Sequence, residues 1–154
     1  MKPYANVAVG GTFDLIHIGH KILLSRAFEL GEKVTIGLTS DEFAASIGKL
    51  LAHSYKERLS TLEAHVAEAY DQPNYLISKL NDYFGPAIVL DEIEAIVVSS
   101  ETASRVELAN NDRERRGLNA MLVETVEMVD ADDGKPISTT RIRNNEIDSE
   151  GHVL

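Results

Sequence analysis

The sequence predicts an α/β fold: one open parallel sheet of about five strands flanked by helices. Three observations lead there. Residues 6–38 read as strand, glycine turn, helix and second strand, which is a βαβ unit and the start of a parallel sheet. Residues 94–100, Glu-Ala-Ile-Val-Val-Ser-Ser, form a continuous apolar run of the kind covered on both faces. Strand and helix patterns alternate along the chain, with no internal repeat, low-complexity segment or linker.

Taken in order, Val7 to Val9 is the first strand, and the first helix runs from Ile18 to Leu30, with Ile22, Leu23, Ala27 and Phe28 at helical spacing. Gly31 is expected to end it as a C-terminal glycine. Lys33 to Leu38 is the second strand, β-branched and mostly apolar. Thr39-Ser40-Asp41-Glu42 reads as a capping box with Thr39 as the cap, opening a short helix to about Ile47. A loop over residues 48–54 leads to a helix from Tyr55 to Tyr70, with Leu59, Leu62, Val66 and Ala69 on one face. Asn74 to Leu80 is the third strand; Asp82 to Leu90 is ambiguous, since Gly85-Pro86 forbids an uninterrupted helix. Residues 94–100 are the fourth strand, and Ser99 to Thr102 should cap a helix from Ala103 to Arg116. The mixed charges of residues 110–117 read as a solvated helix end rather than a phosphate clamp. Met121 to Val129 is the fifth strand, followed by a turn at 131–136. A right-handed crossover puts the glycine turn at the carboxyl ends of the strands, where open α/β sheets bind ligands.

The 154 residues fit a single domain, 1–154, with room for a core. A net charge of -10 opposes non-specific nucleic-acid binding, which needs a basic surface. There is no cysteine, so disulfide and thiolate chemistry are excluded. No apolar run approaches the ~20 residues of a membrane helix, and nothing resembles a signal peptide, so a cytoplasmic protein with neither membrane nor nucleic-acid partner is expected.

The chemistry centres on Gly10-Gly11-Thr12-Phe13-Asp14-Leu15-Ile16-His17-Ile18-Gly19-His20. Paired glycines admit a ligand close to the backbone, and a following helix start offers unpaired N–H groups to an anion. His17 and His20, three apart, share one side of a turn. Each part also has an ordinary reading. Gly-Gly can be a plain turn and Asp14 a turn residue or cap. The histidines can be surface residues or a metal pair, although helical metal ligands are more naturally four apart with a glutamate nearby. Lys49 can be a solvated loop lysine. Ser138-Thr139-Thr140 can be a capping cluster, with Arg141 and Arg143 at the surface.

The whole strings narrow these readings. Gly-Thr-Phe-Asp followed by His-x-Gly-His resembles the first signature of the nucleotidyltransferase superfamily. Ile137-Ser138-Thr139-Thr140-Arg141-Ile142-Arg143 resembles its second. Residues 95–102 and the tail through Gly151 are similar to archaeal- and eukaryotic-type phosphopantetheine adenylyltransferases. The resemblance implies a Rossmann-like sheet and adenylyl transfer from ATP to 4′-phosphopantetheine. It implies that His20 is a donor to the α-phosphate and that His17 contacts the nucleotide phosphates. Lys49 would hold the acceptor phosphate. Gly10, Gly11, Thr12 and Phe13 would form the loop where the substrates meet, with Ser99 facing the same cleft. Ser138, Thr139, Thr140 and Arg141 would hold the β and γ phosphates. Mg²⁺ would accompany ATP, and no metal-ligand set is assigned to the protein itself. A monomer is expected in preference to a homo-oligomer. Other substrates stay open: glycerol phosphate with CTP, or FMN or NMN with ATP. Asp133-Gly134-Lys135-Pro136, where cytidylyltransferases commonly carry Arg-Thr-x-Gly, counts against CTP. A catalytically idle nucleotide-binding module is the rival from another class.

Overall fold

The computed structural model describes residues 2–85, 92–100 and 102–127. The second signature, with Ser138, Thr139, Thr140 and Arg141, lies outside the described residues. The elements run β1 (Tyr4–Gly11), α1 (Ile18–Leu30), β2 (Gly31–Thr39), α2 (Asp41–Ser46), α3 (Tyr55–Ala69), β3 (Tyr75–Leu80), β4 (Ala95–Ser99), α4 (Ala103–Arg115) and β5 (Leu122–Val126).

All four strand pairings are parallel, in the order β3-β2-β1-β4-β5. The chain steps outward from β1 through β2 to β3, then returns to lay β4 on the other side of β1. The direction of winding therefore reverses between β1 and β4, and a crevice opens beyond their carboxyl ends. Those ends are Gly10-Gly11 and Ser99.

Side-chain alternation builds a core on each face. Val7, Val9, Val34, Ile36, Leu38, Ala95 and Val97 meet Leu24, Ala27 and Phe28 of α1 and Leu62 and Val66 of α3. Ala8, Ile96 and Val98 point the other way, onto Val106 and Ala109 of α4 and Met121. This two-sided covering is the physical reason that the strands read as apolar runs instead of alternating ones.

Several local expectations change. Gly31 does not adopt a left-handed cap: its φ is -105°, and it is already the first residue of β2. Glycine is needed for space, since a Cβ there would lie 2.9 Å from Val7 Cγ2 and 2.8 Å from the Lys33 carbonyl oxygen. Thr39 does not cap α2. It still belongs to β2, paired with Leu80, and its hydroxyl donates to the Gly11 carbonyl at 3.2 Å. Ser40 is the cap, its hydroxyl accepting from Phe43 N–H at 3.0 Å. Within the expected cap segment Ser99–Thr102, the N-cap of α4 is Thr102, which makes no side-chain cap bond. Ala69 is exposed, and the buried stripe of α3 is Arg58, Leu62 and Val66.

The mixed-charge end of α4 is not simply solvated. Arg113 is buried and donates to the carbonyls of Asn119, at 2.8 Å, and Ile93, at 3.1 Å. Asn110 brackets Met121, accepting from its N–H at 2.7 Å and donating to its carbonyl at 3.1 Å. These contacts fasten α4 to the entry of β5. No helix among the described residues is long and apolar enough to cross a membrane.

Candidate active site

The start of α1 is capped by its own histidines. The Nδ1 of His17 accepts from Gly19 N–H at 3.1 Å, and the Nδ1 of His20 accepts from His17 N–H at 3.3 Å. The rings stack with centroids 3.8 Å apart. An imidazole whose Nδ1 accepts must carry its proton on Nε2, so both rings present an Nε2–H. Burial lowers the His17 pKa to about 4. Burial, reinforced by His17, lowers that of His20 to about 3 against the opposing pull of the Leu15 backbone. At neutral pH both are uncharged hydrogen-bond donors.

Gly19 is the residue that permits this stacking. A Cβ there would stand 2.9 Å from His17 Cε1 and 3.0 Å from its Nδ1.

Phe13 does not offer its ring to a ligand. It is fully buried, with its ring centroid 4.9 Å from that of His20, and so forms the floor on which His20 rests. Its φ of 48° is in the left-handed region, a strained position for an aromatic residue. The turn is held open by Arg58, a fully buried side chain on α3. Its Nη1 donates to the Thr12 carbonyl at 2.8 Å, its Nε to the His53 carbonyl at 3.2 Å and its Nη2 to Asp41 Oδ1 at 2.8 Å. The Thr12–Phe13 peptide is trans and planar, so drawing the Thr12 carbonyl toward Arg58 turns the Phe13 N–H the opposite way. Asp14 fixes the other side of the loop. Its carboxylate accepts from the N–H groups of Ala52 and His53, each at 2.9 Å.

Lys49 is placed by the end of α2. Gly48, with φ 76°, and Lys49 complete a Schellman motif: Gly48 N–H donates to the Ala45 carbonyl at 3.1 Å and Lys49 N–H to the Ala44 carbonyl at 2.9 Å. The Lys49 side chain reaches a cleft of about 190 Å³ at the carboxyl ends of the strands. Burial, and then the nearby Arg105, hold its pKa below the ordinary lysine value.

Of the sequence-predicted residues, the structure gathers Gly10, Gly11, Thr12, Lys49 and Ser99 around this cleft. His17 and His20 stand together at the start of α1, outside its lining. Residues that sequence reasoning passed over also line it, among them Thr39, Phe43, Tyr83 and Arg105. One of these had a visible signal. Arg105 sits in the first turn of α4, where a cation opposes the helix dipole. A local rule broken at the mouth of a cleft is a mark of function.

The sequence matches the cytidylyltransferase-like family over residues 8–145. It is 44% identical over 153 residues to the phosphopantetheine adenylyltransferase of Methanothermobacter thermautotrophicus, covering 99% of this chain and 92% of that protein. It is 41% identical over 159 residues to the enzyme of the same name from Thermococcus gammatolerans, covering 99% and 96%. Among solved structures, a protein of unknown function from Archaeoglobus fulgidus superposes with a TM-score of 0.70 at 32% identity, covering 82% of this chain and 89% of that one.

Proposed function

This chain belongs to the cytidylyltransferase-like family, and from that membership we propose that it transfers the adenylyl group of ATP to 4′-phosphopantetheine. The products are dephospho-coenzyme A and pyrophosphate. The observation that carries this reading is the near-full-length similarity to relatives bearing that enzyme name. The cleft at the β1–β4 switch point supports it.

The acceptor's phosphate oxygen attacks the α-phosphorus, the α–β bridging bond breaks, and its electron pair leaves on pyrophosphate. The attacking group is part of the substrate, so no covalent enzyme intermediate is required. The protein's task is to bring two anions into line and to stabilise charge on the α-phosphate. The glycine loop provides close approach at Gly10 and Gly11, and the Phe13 N–H, turned away from Arg58, supplies a backbone donor. His20 donates through Nε2–H to the α-phosphate, and His17 donates to the nucleotide phosphates. Lys49 holds the acceptor phosphate. Ser138, Thr139, Thr140 and Arg141 take the β and γ phosphates.

Mg²⁺ would neutralise phosphate charge when bound with ATP. We further propose a cytoplasmic monomer.

The test is pyrophosphate release by the purified protein with Mg²⁺, crossing ATP and CTP with 4′-phosphopantetheine, glycerol 3-phosphate, FMN and NMN. Release confined to ATP with phosphopantetheine is the expected result. Release with another pair would overturn the substrate, and silence in every combination by protein that binds ATP would indicate an idle binding module.

A further inference from the structure

We infer that Arg105 is a specificity-determining residue of this site, forming with Lys49 a two-cation clamp for the dianionic phosphate monoester of the acceptor. The inference rests on the adenylyl-transfer reading above and assigns a residue within it. Lys49 and Arg105 come from different elements, α2's carboxyl end and α4's first turn, yet line the same cleft. The Arg105 guanidinium lies over the Tyr83 ring, 4.7 Å from its centroid, and Tyr83 in turn meets Phe43 edge-on at 5.1 Å. An exposed arginine is thus oriented by an aromatic platform instead of by a carboxylate. The acid in the cleft lining, Asp82, is engaged by the N–H groups of Phe84 and Gly85. Among the described residues neither Lys49 nor Arg105 forms an ion pair.

Two cations in one cleft, neither of them ion-paired among the described residues, repel each other; an anion of matching charge relieves that repulsion. A phosphate monoester carries close to two negative charges at neutral pH, and an arginine fork binds phosphate oxygens in pairs where lysine acts as a point charge. The clamp joins the end of α2 to the first turn of α4 across the cleft, and Lys49 lies near enough to His20 for its charge to bear on that ring. Phe43, Ile47 and Leu23 add an apolar lining suited to an uncharged acceptor arm. With that lining the clamp serves the acceptor, whose phosphate it would hold beside the histidine pair that takes the nucleotide.

The experiment compares wild type, Arg105→Ala, Arg105→Lys and Tyr83→Phe in two assays: steady-state pyrophosphate release, and calorimetric binding of 4′-phosphopantetheine against unphosphorylated pantetheine. For Arg105→Ala the expected result is a 10- to 100-fold rise in acceptor KM, as the loss of a charge-assisted phosphate contact gives, with ATP KM within about twofold. It should also lose most of the wild type's preference for the phosphorylated ligand. Arg105→Lys should recover part of both, and Tyr83→Phe, which keeps the platform, should match wild type. An unchanged acceptor KM, or a rise confined to ATP KM, would overturn the assignment of Arg105 while leaving wild-type turnover, and so the functional reading, intact. A wild type that neither turns over nor prefers the phosphorylated ligand would overturn the functional reading and the clamp with it.

Discussion

The ring of His17 lies on the ring of His20, with planes 18° apart, and each spends its Nδ1 on a backbone N–H of the same helix turn. Nδ1 fixes orientation and tautomer; on the proposed function, the Nε2–H at the other end of the same imidazole would serve the α-phosphate. His20→Ala removes a donor already aimed, and turnover should fall ~100-fold or more with a modest loss of ATP affinity. Rapid-quench or steady-state kinetics would check it; near-normal turnover removes His20 from this role.

The depressed histidine pKa values set a direction for pH. An unfolded histidine titrates near 6.5, whereas the folded values are about 4 for His17 and about 3 for His20. Between those limits the unfolded chain binds more protons than the folded one, so stability rises with pH through this window and is lost on acidification. Urea denaturation from pH 7 to pH 4 should show that loss, and its slope should be shallower in His20→Gln. In the wild type, the ring signals of His17 and His20 should stay at their neutral positions down to about pH 5 by NMR. A titration of either ring centred near 6.5 would contradict the burial that the fold imposes.

The parallel sheet, its order of elements and the glycine–histidine stretch were legible because they rest on short-range signals: apolar runs, a glycine pair and a helix pattern in immediate succession. The glycine pair itself is not the expected turn: Gly10 and Gly11 are the last residues of β1, paired with Gly37 and Leu38, and the turn follows them. What was not legible depended on partners far apart in the chain. Thr39 followed by Glu42 satisfies a capping box on paper, but the Thr39 hydroxyl is claimed by Gly11, 28 residues away, and the cap passes to Ser40. Arg58 and Arg113 look like surface residues on polar helices, and each turns out to be an internal fastener because carbonyls from other segments meet it there. Phe13 belongs to a nucleotide-loop signature, yet its ring is core; only its backbone N–H remains for a ligand.

Gly19 offers a test that leaves both imidazoles present. A methyl group there would crowd His17 Cε1 and Nδ1, so Gly19→Ala should rotate His17 off His20 and break its Gly19 N–H bond. The helix itself tolerates alanine better than glycine, so stability should change by under about 1 kcal/mol while ATP affinity falls about tenfold. Thermal melting and calorimetry on one preparation separate the two effects. Unchanged ATP affinity would mean that His17 does not reach the nucleotide.

Arg58 tests whether the phosphate loop is held from behind. Its side chain is fully buried, while Asp41, its only carboxylate partner among the described residues, is half exposed. The two residues should therefore respond very differently to substitution. Asp41→Asn removes a screened pair and should cost about 1 kcal/mol or less. Arg58→Met leaves the Thr12 and His53 carbonyls without their donor inside the protein and should destabilise the fold by about 3 kcal/mol. Lysine cannot span three acceptors with one ammonium as the planar fork does, so Arg58→Lys should recover little. Because the bond to Thr12 orients the peptide that carries the Phe13 N–H, any Arg58 variant that remains folded should lose turnover more than ATP affinity. Urea melts and kinetics together decide the point: an Arg58→Met protein with wild-type kcat would show that the loop keeps its shape without this tether.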